Sequence, residues 1–282
     1  MFSLYLHGIS EMAHFFTAIH AALMQTAPDA KCAQTIRLAQ EWRKGGLSLL
    51  SDEPVIPIGE SGRPARPELV APQAAPKRPL SKPEGRAALV HSITHIEFNA
   101  INLALDAAYR FRGLPQAFYG DWLQVAAEEA YHFQLLRDHL RTLGYDYGDF
   151  AAHNGLWDMA LRTAHDPLVR MALVPRLLEA RGLDVTPGLR HKLTSTGDLA
   201  AARILEIIER DEIGHVAIGN RWYGYLCAGR GVDPVATFQQ LLTQYDAPNF
   251  GPPFHLEARR AAGFSEREIA LLGLPRNSRR GA

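Results

Sequence analysis

Two copies of a Glu-x-x-His motif lie 83 residues apart, as Glu129 with His132 and as Glu212 with His215. A single Glu precedes each copy at nearly the same distance, with Glu97 32 residues before the first and Glu179 33 residues before the second. Four carboxylates and two imidazoles in this order are the ligand set of a dinuclear iron or manganese site in a four-helix bundle. The predicted metal ligands are Glu97, Glu129, His132, Glu179, Glu212 and His215.

The spacing within each motif has a physical reason. Positions i and i+3 share one face of a helix, so Glu129 and His132 can reach the same ion. Apolar residues surround them on that face, among them Trp122 and Leu136, and an ionised Glu in a bundle core is costly unless it is paired or binds a metal. Two divalent cations would cancel the four negative charges. Carboxylates with one imidazole per metal suit iron, with manganese as the alternative, and leave positions open for dioxygen.

Other side chains compete for a place at the site. Glu128 stands beside Glu129 but lies towards the flank of the helix, where it would be a solvated charge. Glu209 is either a neighbour of the ligands or a residue of the solvated rim. Three more side chains could contact the ligands or serve only in packing or at the surface: His91, Arg176 and Tyr131.

Helical periodicity from about residue 86 to Gly113, and again from Pro115 to Gly144, predicts two long helices joined by a short loop. Such helices must be antiparallel neighbours. Glu97 and Glu129 lie about 15 residues on either side of the loop, so they should have the same height in the bundle.

The second pair of helices follows a long connection that contains a short helix from Leu156 to Thr163. The third helix starts at Asp166-Pro167, a favourable cap and first-turn pair. Pro175, four residues before Glu179, predicts a kink or break close to the metal, followed by a continuation to about Thr196. The fourth helix carries the second motif.

The predicted fold is therefore all-α, a ferritin-like four-helix bundle with a long crossover between helices two and three. We divide the chain into an N-terminal helical segment (1–50), a Pro-rich extended strap (51–84), the bundle (85–232) and a C-terminal helical extension (233–282). The first segment should contain two helices, starting near residue 9, and the last two small helices and a basic tail. Eight of the eighteen prolines fall between Pro54 and Pro83, which excludes regular helix there. Apolar residues should dock the strap on the bundle, namely Val55, Ile56, Ile58, Leu69 and Val70.

The composition is that of a globular protein, with 47% hydrophobic and 21% charged residues. Thirty basic and thirty acidic side chains give no net charge, so general attraction to nucleic acid or to anionic membranes is not expected. Neither a signal peptide nor a membrane span is recognisable. Two cysteines are too few for a disulfide framework. These features predict a cytoplasmic protein with free thiols.

Several long strings resemble a family of bacterial ferritin-like proteins of unknown function. They are HSITHIEFNAINLALDAAYRFRG, DWLQVAAEEAYHFQLL, YGDFAAHNGLWDMA, ALVPRLLEARGLDVTP, RDEIGHVAIGNRWY and, in the strap, RPARPELVAP. The likeness covers nearly the whole chain and has no departure at a predicted ligand. It implies a ferritin-like fold and a dimetal site, but no substrate. A more distant likeness, in ligand order only, is to di-iron tRNA hydroxylases and other carboxylate-bridged oxygenases.

We expect an oxidoreductase of the di-iron oxygenase type that activates dioxygen or peroxide and acts on a small-molecule substrate. No nucleotide-binding glycine motif is present, so electrons would come from an external donor. Ferroxidase activity, iron handling or peroxide scavenging is the first alternative, and a tRNA-modifying hydroxylase or a metal-free scaffold is the second. A closed storage shell would be hindered by the flanking segments, which favours a monomer or homodimer.

Overall fold

The computed structural model describes residues 13–51, 53–74 and 78–274. Within these ranges the regular structure is almost entirely helical, which confirms the all-α prediction. The exception is one parallel pair of two-residue strands, β1 (Ala13–His14) and β2 (Leu47–Ser48). The predicted start near residue 9 and the basic tail, with Arg276, Arg279 and Arg280, lie outside the described residues.

The N-terminal segment contains helices α1 (Phe15–Met24) and α2 (Pro28–Arg43). Lys31 on α2 is fully buried, and its Nζ donates to the carbonyl oxygens of Ala22 and Leu23, at 3.0 and 2.7 Å. It also donates to Asn102 Oδ1 at 2.7 Å. Three acceptors satisfy all three N–H donors of an ammonium group. This side chain therefore joins both N-terminal helices to the core.

The first long hairpin consists of α3 (Pro83–Arg110) and α4 (Gln116–Thr142), which pack along each other. Pro83 lies in the first turn of α3, where its missing N–H costs nothing. Gly113 adopts a φ of 75° in the loop, a left-handed conformation that glycine accepts without strain. The hairpin thus has the short connection that the sequence predicts.

The strap lies on the connection between the hairpins, which contains α5 (Gly155–Arg162). The backbone of Ala152 accepts from Val70 N at 2.8 Å and donates to Glu68 O at 2.9 Å. Trp157 Nε1 donates to Gly59 O at 2.9 Å. Among the apolar residues predicted to dock, Ile58 is buried and Val55, Leu69 and Val70 are half-buried, but Ile56 is exposed.

The third helix is interrupted at the predicted place. It runs as α6 (Pro167–Leu173), a π-helical turn from Val174 to Glu179, and α7 (Ala180–Ser195). Proline has no N–H to donate to the carbonyl four residues earlier, so Pro175 cannot continue the α-helical hydrogen bonding. The chain widens into a π turn, and Glu179 is its last residue.

The fourth helix is α8 (Leu199–Arg230). The Asp198 side chain caps its start by accepting from Ala201 N at 3.0 Å, and Gly231 ends it with a φ of 65°. It packs along α7 and crosses α4. This contact between α4 and α8 brings the two Glu-x-x-His motifs together.

Up to residue 274, where the described part of the chain ends, three small helices follow instead of the predicted two: α9 (Pro234–Gln244), α10 (Leu256–Ala261) and α11 (Glu266–Ile269). The last of these begins at a capping box, in which Ser265 and Glu268 satisfy each other's backbone N–H groups. Over the described ranges, no helix is long and apolar enough to cross a membrane.

Candidate metal centre

The predicted ligands come from four helical elements. Glu97 lies on α3, and Glu179 ends the π turn of the third helix. α4 and α8 each contribute one Glu-x-x-His motif. Ligand atoms of four of the six side chains lie within 4.8 Å of one another, those of Glu97, Glu129, His132 and Glu212. These four residues come from three helices, so the cluster is a product of the tertiary fold.

His132 lies at the centre of the first half of the cluster. Its Nδ1 is 3.3 Å from Glu97 Oε2 and 3.4 Å from Glu129 Oε2. All three side chains are buried. The expected equal height of Glu97 and Glu129 in the hairpin is therefore realised, and both carboxylates reach the same imidazole nitrogen.

The second half is centred on His215. Its Nδ1 is 2.9 Å from Glu129 Oε1 and 3.7 Å from Glu212 Oε1. Glu129 thus lies between the two imidazoles. Glu179 lies outside the 4.8 Å group, but the negative charges of Glu212 and Glu129 act on it and its Oε2 is buried.

Each imidazole is oriented by a carboxylate from the other motif. The outer nitrogen of His132, Nε2, lies 3.2 Å from Asp211 Oδ2 on α8. The outer nitrogen of His215 lies 2.7 Å from Glu128 Oε2 on α4. A proton on each Nε2 donated to these oxygens leaves each Nδ1 with a free lone pair facing the cluster. Metal-binding histidines are commonly held in this way.

Four buried atoms of the cluster make no hydrogen bond: Glu97 Oε2, Glu179 Oε2, Glu212 Oε2 and His215 Nδ1. Two of these approach a neighbouring polar atom within 3.3 Å, yet without hydrogen-bond alignment. A buried polar atom without a partner costs ~1–3 kcal/mol, and more if it is charged. Two metal ions held between these side chains would give each of the four atoms a partner. The donor set of carboxylate oxygens and imidazole nitrogens also suits iron or manganese, so the residues present fit a dinuclear centre.

The ionisation of the metal-free chain shows the same need for positive charge. Burial, reinforced by the Glu129 charge, raises the pKa of Glu97 well above its usual range. Burial and the charges of Glu212 and Glu129 raise the pKa of Glu179 to about 8. Burial alone would lower the pKa of His132, but Glu129 and Glu97 raise it to about 11. Protons therefore neutralise the cluster when no metal does.

Glu129 is the carboxylate that stays ionised. Burial would raise its pKa, but the contacts with His215 and His132 outweigh that effect and lower it. A single carboxylate between two protonated imidazoles accounts for this asymmetry.

The π turn reaches the cluster because α8 has a glycine opposite it. A Cβ built on Gly219 would lie 2.5 Å from Pro175 Cβ and 2.7 Å from Pro175 Cγ. Only a residue without a side chain allows the proline ring this close. Gly219 and Pro175 thus fix how near the turn, and with it Glu179, lies to the second motif.

A family model described as "Protein of unknown function (DUF455)" matches residues 24–270. The chain belongs to this family. A relative from Haemophilus influenzae, described as "Uncharacterized protein", is 48% identical over 268 residues, which cover 92% of this chain and 93% of the relative. No solved structure matches the chain. The family description assigns no reaction, so the chemistry has to be inferred from the site.

Three of the other side chains proposed to touch the ligands have different partners. Glu209 accepts from Arg190 Nη1 at 2.8 Å. His91 Nε2 accepts from Gly148 N at 2.9 Å and so holds the crossover. Arg176 donates to Asn220 Oδ1 at 2.8 Å and pairs with Glu268.

The fourth of these side chains, Tyr131, is 46% exposed, with its ring 6.3 Å from that of His132. The two rings belong to adjacent residues of the same helix, and the Tyr131 hydroxyl makes no hydrogen bond to a proposed ligand among the described residues.

The two outer carboxylates, those of Glu128 and Asp211, are not among the residues that the sequence predicts for the site. Glu128 is expected to be a solvated charge, but its side chain is only 34% exposed and contacts His215. The sequence gives no expectation for Asp211. The available signal was that an acidic residue precedes the Glu of both motifs, which makes the repeat acid-Glu-x-x-His. Each acid serves the histidine of the other helix, and one motif alone does not reveal that pairing.

Proposed function

We propose that this chain is a ferritin-like dinuclear metal protein, with iron or manganese, that activates dioxygen or peroxide to oxidise an organic substrate. The observation that carries the proposal is the set of four buried cluster atoms without hydrogen bonds. The residues that would hold the metals are Glu97, Glu129, His132, Glu179, Glu212 and His215. When bound, such a centre supplies redox chemistry that side chains alone cannot perform.

The chain's own residues prepare the site in two ways. Asp211 and Glu128 fix the tautomer of the histidines, so that Nδ1 of each is available as a ligand. The apolar side chains of the bundle enclose the carboxylates and keep bulk water away from them. Trp122 and Ile208, for example, are almost fully buried on the helix faces that carry the motifs.

The π turn favours substrate oxidation over simple metal storage. Isolated π turns inside α-helices often mark functional sites. Here the turn ends on Glu179, the one proposed carboxylate ligand outside the 4.8 Å group. Glu179 would hold a metal from an irregular turn, where the backbone departs from regular helical hydrogen bonding, and such a turn would leave room for a small substrate beside the site.

Metal stoichiometry is the first test. Protein produced with both iron and manganese available should contain about two equivalents of metal per chain by plasma mass spectrometry. Glu129→Ala should lose this metal, because Glu129 lies between both histidines. Glu209→Ala is the matched control, since it removes a carboxylate one turn before Glu212 that contacts Arg190 instead of the cluster. Metal content unchanged by Glu129→Ala would refute the site.

Reactivity is the second test. Reduced, iron-loaded protein mixed with dioxygen or peroxide in a stopped-flow spectrometer should show a rapid change in absorbance that Glu129→Ala abolishes. Full metal loading without any reaction would exclude an oxidoreductase and leave a structural metal site.

A second function, metal handling or peroxide scavenging, is favoured by the position of the outer carboxylates. Asp211 and Glu128 are 20% and 34% exposed, whereas the histidines they contact are fully buried. A hydrated cation could meet these acids before it reaches the cluster. Oxidant turnover with repeated additions of iron(II) or peroxide, and with no organic substrate, would favour this function. If the centre is instead oxidised only once for each time an external donor reduces it, the result would favour the oxygenase.

A further inference from the structure

A cavity of about 70 Å³ lies between the π turn and the C-terminal helices. Its walls are mostly aromatic and aliphatic, with Phe238 from α9 and Phe264 from the segment before α11. Two arginines, Arg176 and Arg259, also line it. They are only 3% and 4% exposed. A buried guanidinium group is expensive unless its donors are used, so two of them at one cavity call for an explanation.

Arg176 is held rigidly, but one of its donors is free. Its carbon Cζ lies 4.8 Å from the ring centroids of Tyr223, Phe238 and Phe264. Nη1 donates to Asn220, and Nη2 pairs with Glu268. Nε is buried and has no hydrogen-bond partner. The aromatic contacts stabilise the charge but do not replace the missing acceptor.

Arg259 is also held in one orientation. Its Nε and Nη2 donate to the two oxygens of Asp184, at 2.9 and 2.6 Å, which makes a bidentate pair. Nη2 also approaches Ala180 O at 3.4 Å. Both arginines therefore have a fixed orientation, and Nε of Arg176 is the buried donor that lacks an acceptor.

The carboxylates that pair with the two arginines are already engaged. Glu268 pairs with Arg176 through one oxygen, and its other oxygen accepts from Ser265 N and Oγ at 2.7 and 2.8 Å. Asp184 also accepts from His255 N at 3.0 Å. Neither carboxylate serves Arg176 Nε, so a ligand can supply the acceptor oxygen for this donor.

We propose that this cavity is a binding site for a small carboxylate with an apolar body. Guanidinium groups are the preferred partners of carboxylates, and the aromatic walls would cover the hydrocarbon part. A cavity of ~150 Å³ binds benzene, so about 70 Å³ takes the carboxylate and the first carbon atoms of such a ligand, and the rest of its chain would lie at the half-buried rim beside Val235. Arg176 and Leu177 belong to the same π turn as Glu179, but none of the six proposed metal ligands lines the cavity.

The test uses the metal-free full chain with butyrate as the probe, followed by isothermal titration calorimetry or by protein NMR shifts. Butyrate should bind in a saturable way with one site per chain. Butyramide, which has nearly the same shape without the charge, should bind about tenfold or more weakly, because charged hydrogen bonds are roughly twice as strong as neutral ones. Equal binding of both compounds would overturn the carboxylate assignment.

Three variants locate the binding site. Arg176→Met should weaken butyrate binding about tenfold or more by removing a charged donor. Val235→Trp, at the half-buried rim on α9, should abolish binding by filling the cavity. Arg260→Met removes an exposed arginine paired with Glu266 beside Arg259 and should leave binding unchanged.

Loss of binding in Arg260→Met, or full binding in Val235→Trp, would place butyrate elsewhere and overturn the site. Because Val235→Trp leaves the buried ion pairs intact, it remains informative if Arg176→Met does not fold. The metal-free chain is used throughout, so failure here does not bear on the dinuclear centre, and loss of that centre does not bear on this site.

Discussion

Replacing Gly219 with alanine tests how the third helix is held against the fourth. The new Cβ would lie 2.5 Å from Pro175 Cβ, whereas two carbon atoms pack at ~3.5–4.0 Å, so the π turn and α8 must separate by about 1 Å. Such over-packing costs ~1–3 kcal/mol. Alanine returns ~1 kcal/mol through its higher helix propensity. The proline ring has no alternative rotamer that would relieve the contact.

Gly224→Ala is the matched control, since it lies on the same helix and a Cβ there meets nothing within 4 Å. We expect Gly224→Ala to be neutral or stabilised by up to ~1 kcal/mol. Gly219→Ala should then be ~1–3 kcal/mol less stable than Gly224→Ala. Urea unfolding of the metal-free chain, followed by circular dichroism, measures both differences.

Gly219→Ala and Gly224→Ala should also differ in how much metal they bind. Displacement of the π turn moves Glu179 away from the second motif, so Gly219→Ala should bind less metal than Gly224→Ala in the stoichiometry assay. If Gly219→Ala is as stable as Gly224→Ala and retains full metal, the close contact between α8 and the turn does not position Glu179.

Three further predictions concern the site and the core. Asp211→Asn and Glu128→Gln should each weaken metal binding ~10–100-fold, measured in competition with a chelating dye, because the histidines lose their orienting partners. Unchanged affinity would show that Asp211 does not orient His132 and that Glu128 does not orient His215. Metal binding should release protons near neutral pH, because two ligands must first lose a proton: Glu179, whose pKa is about 8, and Glu97, whose pKa is raised. For the same reason the metal affinity should rise as the pH rises towards 8. Calorimetry in two buffers of different ionisation enthalpy counts these protons, and an affinity independent of pH would contradict the prediction. Lys31→Met should lower the free energy of unfolding by ~3 kcal/mol, because three buried acceptors lose their hydrogen-bond donor. A stability equal to that of the unmodified chain would show that these hydrogen bonds contribute nothing net.

The helices and their ends follow from local physics. Pro83 and Pro167 start helices because their fixed φ suits a first turn, and Gly231 ends one because it accepts a left-handed conformation. The interruption at Pro175 follows in the same way from a missing N–H. These features involve only neighbours in the chain, and the helix start at Pro167 and the interruption at Pro175 are predicted from the sequence. The start of α3 at Pro83 is three residues earlier than predicted, within the segment that was expected to be free of helix. α11 has only four residues, too few to give a periodic pattern.

What the sequence by itself determined is which side chains share a helix face: the i, i+3 spacing places each His beside its Glu, and the lengths on either side of a short loop set Glu97 level with Glu129. What only the tertiary structure decided is which faces meet. The pairing of Asp211 with His132 and of Glu128 with His215, the exclusion of Arg176 from the cluster and the approach of the π turn to Gly219 all depend on how the helices are rotated and spaced. That rotation and spacing come from packing summed over many side chains, and no short motif in the chain records them.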